Sequence, residues 1–486
     1  MSLPSLIASL WRRPLHRVLV LSFAAMLAFW CAALFYGTPY LYSDGDTGTW
    51  IWLLRHGEAV YGSPMASASA LSAAEGGPGL PMRLSNYPPL YMHAVAWLAP
   101  SDAAILRTGA VLSLLGFVIA MLGVGWSAAR ASGSRTTGLV AAILLGGSGA
   151  AAYNASSCFP DTAGLGFAVV AVTLAALRVQ GWPVLSGLLF CIAVLTKHSL
   201  VVLPMGTGLW AVAHAETRKD ACLLGVSLVL PLGVALWALD LFAPLVQWTR
   251  APWMPGYFAV QLAIWGLPLF PGIALAATLV HRRAEWSPAA RSVLGPWAAA
   301  ALLGVLWLLA LGRRGSGANY TIELITALSV LLPIAFERLI GPRLSLLHAL
   351  SMLGVTLGLT VYHVGWIWPR QVSDQALVQR ILAEHPGPVV AETPWYTTRV
   401  GRPPLVISYL ATQLAQTGRW DASGLLAKLS TGQVAAVILH FPVEDTPQLG
   451  HADRLPRGVL PVLRDRYQLV AQSESVFVYI PRRSAP

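Results

Sequence analysis

Charge is what this chain has least of. Of its 486 residues only 11% are Asp, Glu, Lys or Arg, where an ordinary soluble domain carries about 25%. Hydrophobic residues make up 56%, and mean hydropathy is +0.62. So little charge cannot cover a water-facing surface, and the composition is that of a polytopic α-helical membrane protein. Cysteine is scarce as well. Cys31, Cys158, Cys191 and Cys222 stand singly, with no CxxC and no Cys/His cluster. Neither a disulfide framework nor a zinc site is indicated. There is also no internal repeat and no low-complexity linker. Acidic residues are outnumbered 21 to 32, for a net charge of +11. In a soluble chain that excess would raise nucleic acid as a partner. Here basic loops that hold topology explain it, and no nucleic-acid partner is expected. The 19 tryptophans and 14 tyrosines suit the aromatic belts of a membrane–water interface.

What is present is a series of apolar runs. After Arg12, Arg13 and Arg17, about 20 apolar residues lead to Tyr36. That is long for a signal-peptide core, so it reads as an uncleaved span with its N-terminus inside. Later spans fall at roughly 105–128, 137–153, 161–178, 183–197, 199–214, 221–246, 257–280, 292–311, 322–340 and 345–368, giving about eleven in all. Residues 38–104 form a long polar excursion between the first two spans. Inside it PPLYMHAVAWLAP (88–100) is apolar but too short to cross. It is expected to lie flat at the outer interface, as a juxtamembrane helix begun by its prolines.

That parity can be checked against charge. The loops it places inside hold Arg130 and Arg135, Arg178, Arg218 and Lys219, Arg282 and Arg283, and Arg338 and Arg343. Each carries a Lys or Arg, as the positive-inside rule requires. Counting 88–100 as a span would invert them all.

From about 370 the charge and proline content rise. GPVVAE (387–392), PPLVISYL (403–410), VAAVILHF (434–441) and YQLVAQSESVFVYI (467–480) read as strands, with helices around 411–430 and 452–466. The expected division is a membrane domain at 1–369, with 38–104 its first outer loop, and an extracytoplasmic α/β domain at 370–486. The odd span count puts that domain outside.

The charges that topology does not need all fall on the same outer side. Asp44 and Asp46, in YSDGDTGTW (42–50), stand just past the first span. Ionisable groups are costly at a bilayer edge and mark functional sites there. Such a carboxylate can act as a general base, and two can hold a divalent cation, Mg or Mn, against a phosphate. The plainer reading is an Asp-Gly turn with solvated acids. Arg313 and Arg314, in GRRGSGANY (312–320), combine guanidinium forks with glycine-rich backbone. That is an anion site, against the plainer reading of two arginines snorkelling to headgroups. Lys197 and His198 end a span on the same side, as a second phosphate contact or as a cation at a helix C-terminus. Asp161 follows a proline and can cap the next span. Tyr87, with Pro88 and Pro89, shapes the loop in SNYPPLY (85–91). Tyr320 and Glu323 are placed to contact a sugar or an arginine.

The order of these motifs carries a resemblance. An Asp pair after the first span comes first, then YPPLY before the second. A Pro-Asp opens a mid-chain span, Thr-Lys ends another, and G…NY…E follows late in the membrane region. Together, over about 30–345, they resemble the GT-C glycosyltransferases, nearest to the protein O-mannosyltransferase-like and aminoarabinose-transferase-like enzymes of bacterial envelopes. The resemblance implies a multi-pass enzyme of the bacterial inner membrane whose active site faces the periplasm. Such an enzyme moves a sugar, with inversion, from a polyprenyl-phosphate carrier to an envelope glycan, lipid or protein. It implies Asp44 as catalytic base with Asp46 the second carboxylate, and Lys197 with Arg313 or Arg314 on the carrier phosphate. Many relatives carry Asp-Glu where this chain has Asp-Gly-Asp, so the base's place is open to either aspartate, and so is the use of a metal. The rival reading is a transporter or flippase of a lipid-linked or anionic solute. Transporters tend to show repeats and mid-membrane sites, which this chain lacks. A scaffold displaying the α/β tail would not need the outer arginines.

Overall fold

In a computed structural model of the chain the described residues are 19–24, 42–61, 80, 82–85, 87–239, 241, 252–313, 315–339, 368–444 and 454–482. Two helices belong to the segment between the first two expected spans: α1, Tyr42–Arg55, and α2, Pro89–Leu98. The membrane region follows as α3 Ile105–Ser132, α4 Arg135–Gly146, α5 Pro160–Leu177, α6 Trp182–Thr196, α7 Val202–Ala213 and α8 Arg218–Ala238. After these come the helical run α9, Pro255–His281, and then α10 Pro288–Trp307 and α11 Ile322–Leu339. These helices lie on nine of the expected spans. Among the described residues, five helical runs are long and apolar enough to cross a membrane: 102–132, α5, α8, α9 and 288–312. The expected first span beyond residue 24, and the last one short of Trp368, fall outside the described residues.

The ends of these helices follow local chemistry. Gly133 (φ +72°) stops α3 in the left-handed region, where a Cβ would be strained. Ser134 then caps α4 by accepting the Thr137 N–H at 3.3 Å. Pro160 opens α5 in the first turn, where a missing N–H costs nothing. Between α3 and α5 small residues set the spacing. A Cβ on Gly116 would come 2.5 Å from Ala163 Cα, so only glycine allows that approach. Helix α8 turns Leu223, Val226, Leu230, Val234 and Trp237 outward, the face a lipid environment solvates.

The segment carrying α1 and α2 is wedged rather than splayed. Every residue of α1 from Gly45 to Leu53 is buried. Helix α2 has ten residues, about 15 Å, so it cannot span. Arg55 ties the two together, donating to the Ala96 and Ala99 carbonyls at 2.7 Å and pairing with Asp102 at 3.0 Å. Leu90, Trp97 and Leu98 of α2 remain exposed, as suits a helix lying in an interface.

The C-terminal residues build a four-stranded mixed sheet in the order β1-β2-β4-β3. Its strands are β1 Val389–Ala391, β2 Ala436–Leu439, β3 Tyr467–Gln472 and β4 Phe477–Pro481. Strands β1 and β2 are parallel (Val390 opposite Val437) and buried throughout, hence their unbroken apolar runs. Strand β4 pairs antiparallel with both β2 and β3. Helices α12 Trp368–Glu384, α13 Ser408–Gln416, α14 Ser423–Ser430 and α15 Val459–Arg466 complete this unit.

The expected strand at 403–410 is not one. Val406 bridges Met82 in the segment between the first two expected spans, and the chain turns into α13 at Ser408. A short apolar run fits a buried strand or a buried helix equally well, and the partner settles which. Backbone bonds join the two segments, Met82 N–H to Leu405 O at 3.1 Å and Ile407 N–H to Met82 O at 2.8 Å. One hydrophobic core runs through α1, α2 and the C-terminal unit, including Trp50, Leu84, Met92, Trp395, Leu410 and Val437.

Candidate active site

The site is assembled where α1, the helix ends around Asp161, Lys197 and Arg313, and the C-terminal unit lie. Asp46 is 5% exposed, and its Oδ1 has no hydrogen-bond partner. Burial pushes its carboxyl up to about 7; the Arg454 guanidinium pulls it down, and Glu392 adds to the rise. Glu392 follows β1 and is wholly buried, accepting the His440 N–H at 2.8 Å. Arg454 stands 4.0 Å from Glu392 and 5.6 Å over the Tyr409 ring. Asp44 shares helix α1, but its side chain lies outside the described residues. Among the described residues no group of three His, Cys, Asp or Glu converges.

A second cluster lies at the ends of α5 and α6. Lys197, the residue that ends α6, pairs with Asp161 at 3.2 Å and points at the face of Tyr87, 4.0 Å from its centroid. Asp161 sits in the first turn of α5 and forms no cap bond; its partner is the lysine. Tyr87 packs edge-on against Trp50 at 5.6 Å. It therefore links this cluster to α1 and does more than shape its loop. His198 has an enclosed Nδ1 without a partner, and burial, Lys197 and Arg313 together push its imidazole down to about 3. It is neutral near pH 7 and can offer a phosphate a hydrogen bond but no charge.

Arg313 belongs to a third group. Its backbone bridges Trp253, and Met254 N–H donates to Gly312 O at 2.8 Å. Its charge is felt by His198 and by Tyr320, whose phenol burial pushes up. Tyr320 stacks on Trp307, with ring centroids 6.4 Å apart. Tyr257 donates to Ser316 O at 2.6 Å. Gly315 (φ +83°) lies so close beneath the Tyr409 hydroxyl that a Cβ there would collide with it. Arg314 lies outside the described residues. The Glu323 carboxylate accepts the N–H groups of Val201, Val202 and Leu203 at 3.2, 3.1 and 2.8 Å, satisfying the first turn of α7.

The motifs thus link Lys197, Asp161 and Tyr87, couple His198 and Tyr320 to Arg313, and join Tyr87 through Trp50 to the helix that carries Asp46. The residues missed from the sequence are Glu392, Tyr409 and Arg454. Glu392 had a usable signal: an acid directly after a parallel strand, at the carboxyl end where such sheets place ligands. Arg454 had none.

This architecture is the GT-C fold, as the order of the motifs implied. The solved structures it is similar to include two of ArnT from Cupriavidus metallidurans. One, bound to undecaprenyl phosphate, has a TM-score of 0.61 at 15% identity, with 95% of this chain and 97% of that one covered. The other, in the apo state, has a TM-score of 0.57 at 14% identity, with the same coverage. No family model matches the chain, and no curated protein sequence matches it.

Proposed function

We propose that the protein is an inverting glycosyltransferase of the bacterial inner membrane. It transfers a sugar from a polyprenyl-phosphate carrier to a periplasmic glycan, lipid or protein. The observation that carries this is the buried Asp46 carboxylate, with one oxygen lacking a partner and the Arg454 charge acting on it, in the GT-C fold. Asp46 takes the proton of the acceptor hydroxyl. The acceptor oxygen bonds to the anomeric carbon as the bond to the carrier phosphate breaks, and the electron pair leaves with the phosphate. Arg313 faces that departing charge, with Lys197 and His198 beside it. A unit charge pair at ~4 Å is worth roughly 4 kcal/mol at an effective dielectric near 20, enough to assist a phosphate leaving group. The ArnT structure that binds undecaprenyl phosphate supports a carrier of that chemical class. The periplasmic orientation rests on the basic residues in every loop assigned to the inside.

Mass spectrometry of lipid-linked sugars and envelope glycans, in cells with and without the protein, tests the reading. Deletion should accumulate a polyprenyl-phosphate-linked sugar and remove one modification from an envelope acceptor. No change in either pool overturns it.

A further inference from the structure

We propose that Arg454 is a positioning residue of the active site, reaching out of the C-terminal unit to hold the Asp46 carboxylate in place for reaction. The inference rests on the glycosyltransferase reading and names a part of its machinery that the membrane region lacks. Arg454 is fixed from its own side. Its Nε is 4.0 Å from Glu392 Oε1, and its guanidinium lies 5.6 Å over the Tyr409 ring. Glu392 is in turn held by the His440 N–H at 2.8 Å and by its own N–H to Ile438 O at 2.9 Å. These contacts hold the guanidinium from the side of the C-terminal unit.

Helix α1 is pressed against this anchor. A Cβ on Gly45 would come 2.5 Å from Thr393 Cγ2, and one on Gly48 would meet the Trp395 ring at 3.0 Å. Asp46 and Thr47 are the residues between those two contacts, and Thr393 follows Glu392. Two buried carboxylates from separate parts of the chain thus share the field of one arginine. A guanidinium carries five N–H donors in a fixed fork, which suits two carboxylates better than an ammonium does. Glu392 already accepts a backbone N–H, whereas Asp46 keeps a buried oxygen without a partner. Asp46 is thus the carboxylate left available to take a proton. Tyr409 carries the same coupling to the anion loop, since its hydroxyl seats on Gly315. The C-terminal unit thereby touches both ends of the proposed reaction.

The test uses the full-length protein in detergent, with the lipid-linked sugar extract of native membranes as donor and released polyprenyl phosphate as readout. Arg454→Met should lower kcat by roughly ten- to a hundredfold, a loss on the scale of acid–base assistance, and leave the donor KM within about twofold. Arg454→Lys should recover part of that loss. Wild-type kcat in both variants overturns the inference, and so does a raised donor KM with kcat intact. If Arg454→Met fails to yield a monodisperse protein, Arg454→Lys decides alone: folded with wild-type kcat, it sinks the idea. Wild type without any turnover of the extract would instead count against the glycosyltransferase reading.

Discussion

Lys197 Nζ lies 3.2 Å from Asp161 Oδ2, with both side chains almost entirely enclosed and the Tyr87 ring against the ammonium. The pair joins the end of α6 to the start of α5. It also offsets a charge that the sequence assigned to phosphate binding. Removing one partner leaves the other buried and uncompensated, at a cost of about 3–5 kcal/mol. Asp161→Asn should therefore lower the thermal unfolding temperature in detergent, and adding Lys197→Met should recover most of the loss. A double variant no more stable than Asp161→Asn would show that the two side chains do not act as a pair.

Asp46 sets a pH dependence. Its carboxyl is raised to about 7 by burial. A base works only when deprotonated, so kcat/KM should fall as pH drops below about 7 and level off above it. Asp46→Asn should cost about 10²- to 10⁴-fold in rate, the span of general-base assistance. Asp44→Asn should cost less. Rate measurements on the two variants from pH 5 to 9 discriminate them, and the reverse ranking would return the base to Asp44.

Arg313 has no acidic partner among the described residues, and its charge reaches His198 and Tyr320. Arg313→Ala should raise the donor KM and lower kcat, with acceptor affinity unchanged, because the leaving phosphate needs the charge in both states. Arg313→Lys should rescue only partly, having lost the two-pronged geometry. Wild-type donor kinetics in Arg313→Ala would identify it as a headgroup anchor.

Glu323 is predicted to act on stability alone. Its carboxylate takes three backbone N–H groups at the start of α7. Hydrogen bonds to a charged group are worth about 1.5–3 kcal/mol. Glu323→Gln should lower thermal stability by roughly that order and leave donor KM unchanged. A shifted KM with unaltered unfolding would place it at the substrate instead.

Orientation can be read chemically. Ser423 opens the exposed end of α14. In a background without native cysteines, Ser423→Cys should react with a membrane-impermeant thiol reagent in intact cells. Protection there, with labelling only after lysis, would put the C-terminal unit inside.

Much of the fold was legible in sequence. Apolar runs with prolines at their starts and glycines or serines at their ends fixed where nine helices lie, because a lipid-solvated helix must satisfy its backbone within itself. Strand-like runs at 387–392, 434–441 and 467–480 fell on β1, β2 and the β3–β4 hairpin. The run at 403–410 misled, since its extended part pairs with Met82, more than 300 positions away in the chain. For the site, the sequence named Asp46, Lys197 and Arg313 by their excess over what topology requires. It could not give Glu323 its role, because an acid at a helix start looks the same whether it faces solvent or caps a neighbouring helix.

Composition and order by themselves determined that this chain is a membrane protein, where its helices lie, and which charges exceed what topology requires. Those properties depend on local hydropathy and on helix-end chemistry, which a linear chain carries in full. Only the tertiary structure decided which charge meets which. Packing set Lys197 against Asp161, gave Glu323 to the amides of α7, and set Arg454 beside Glu392. A buried ion is tolerable only with a partner, and that partner is chosen by packing between distant segments, which no spacing along the chain records.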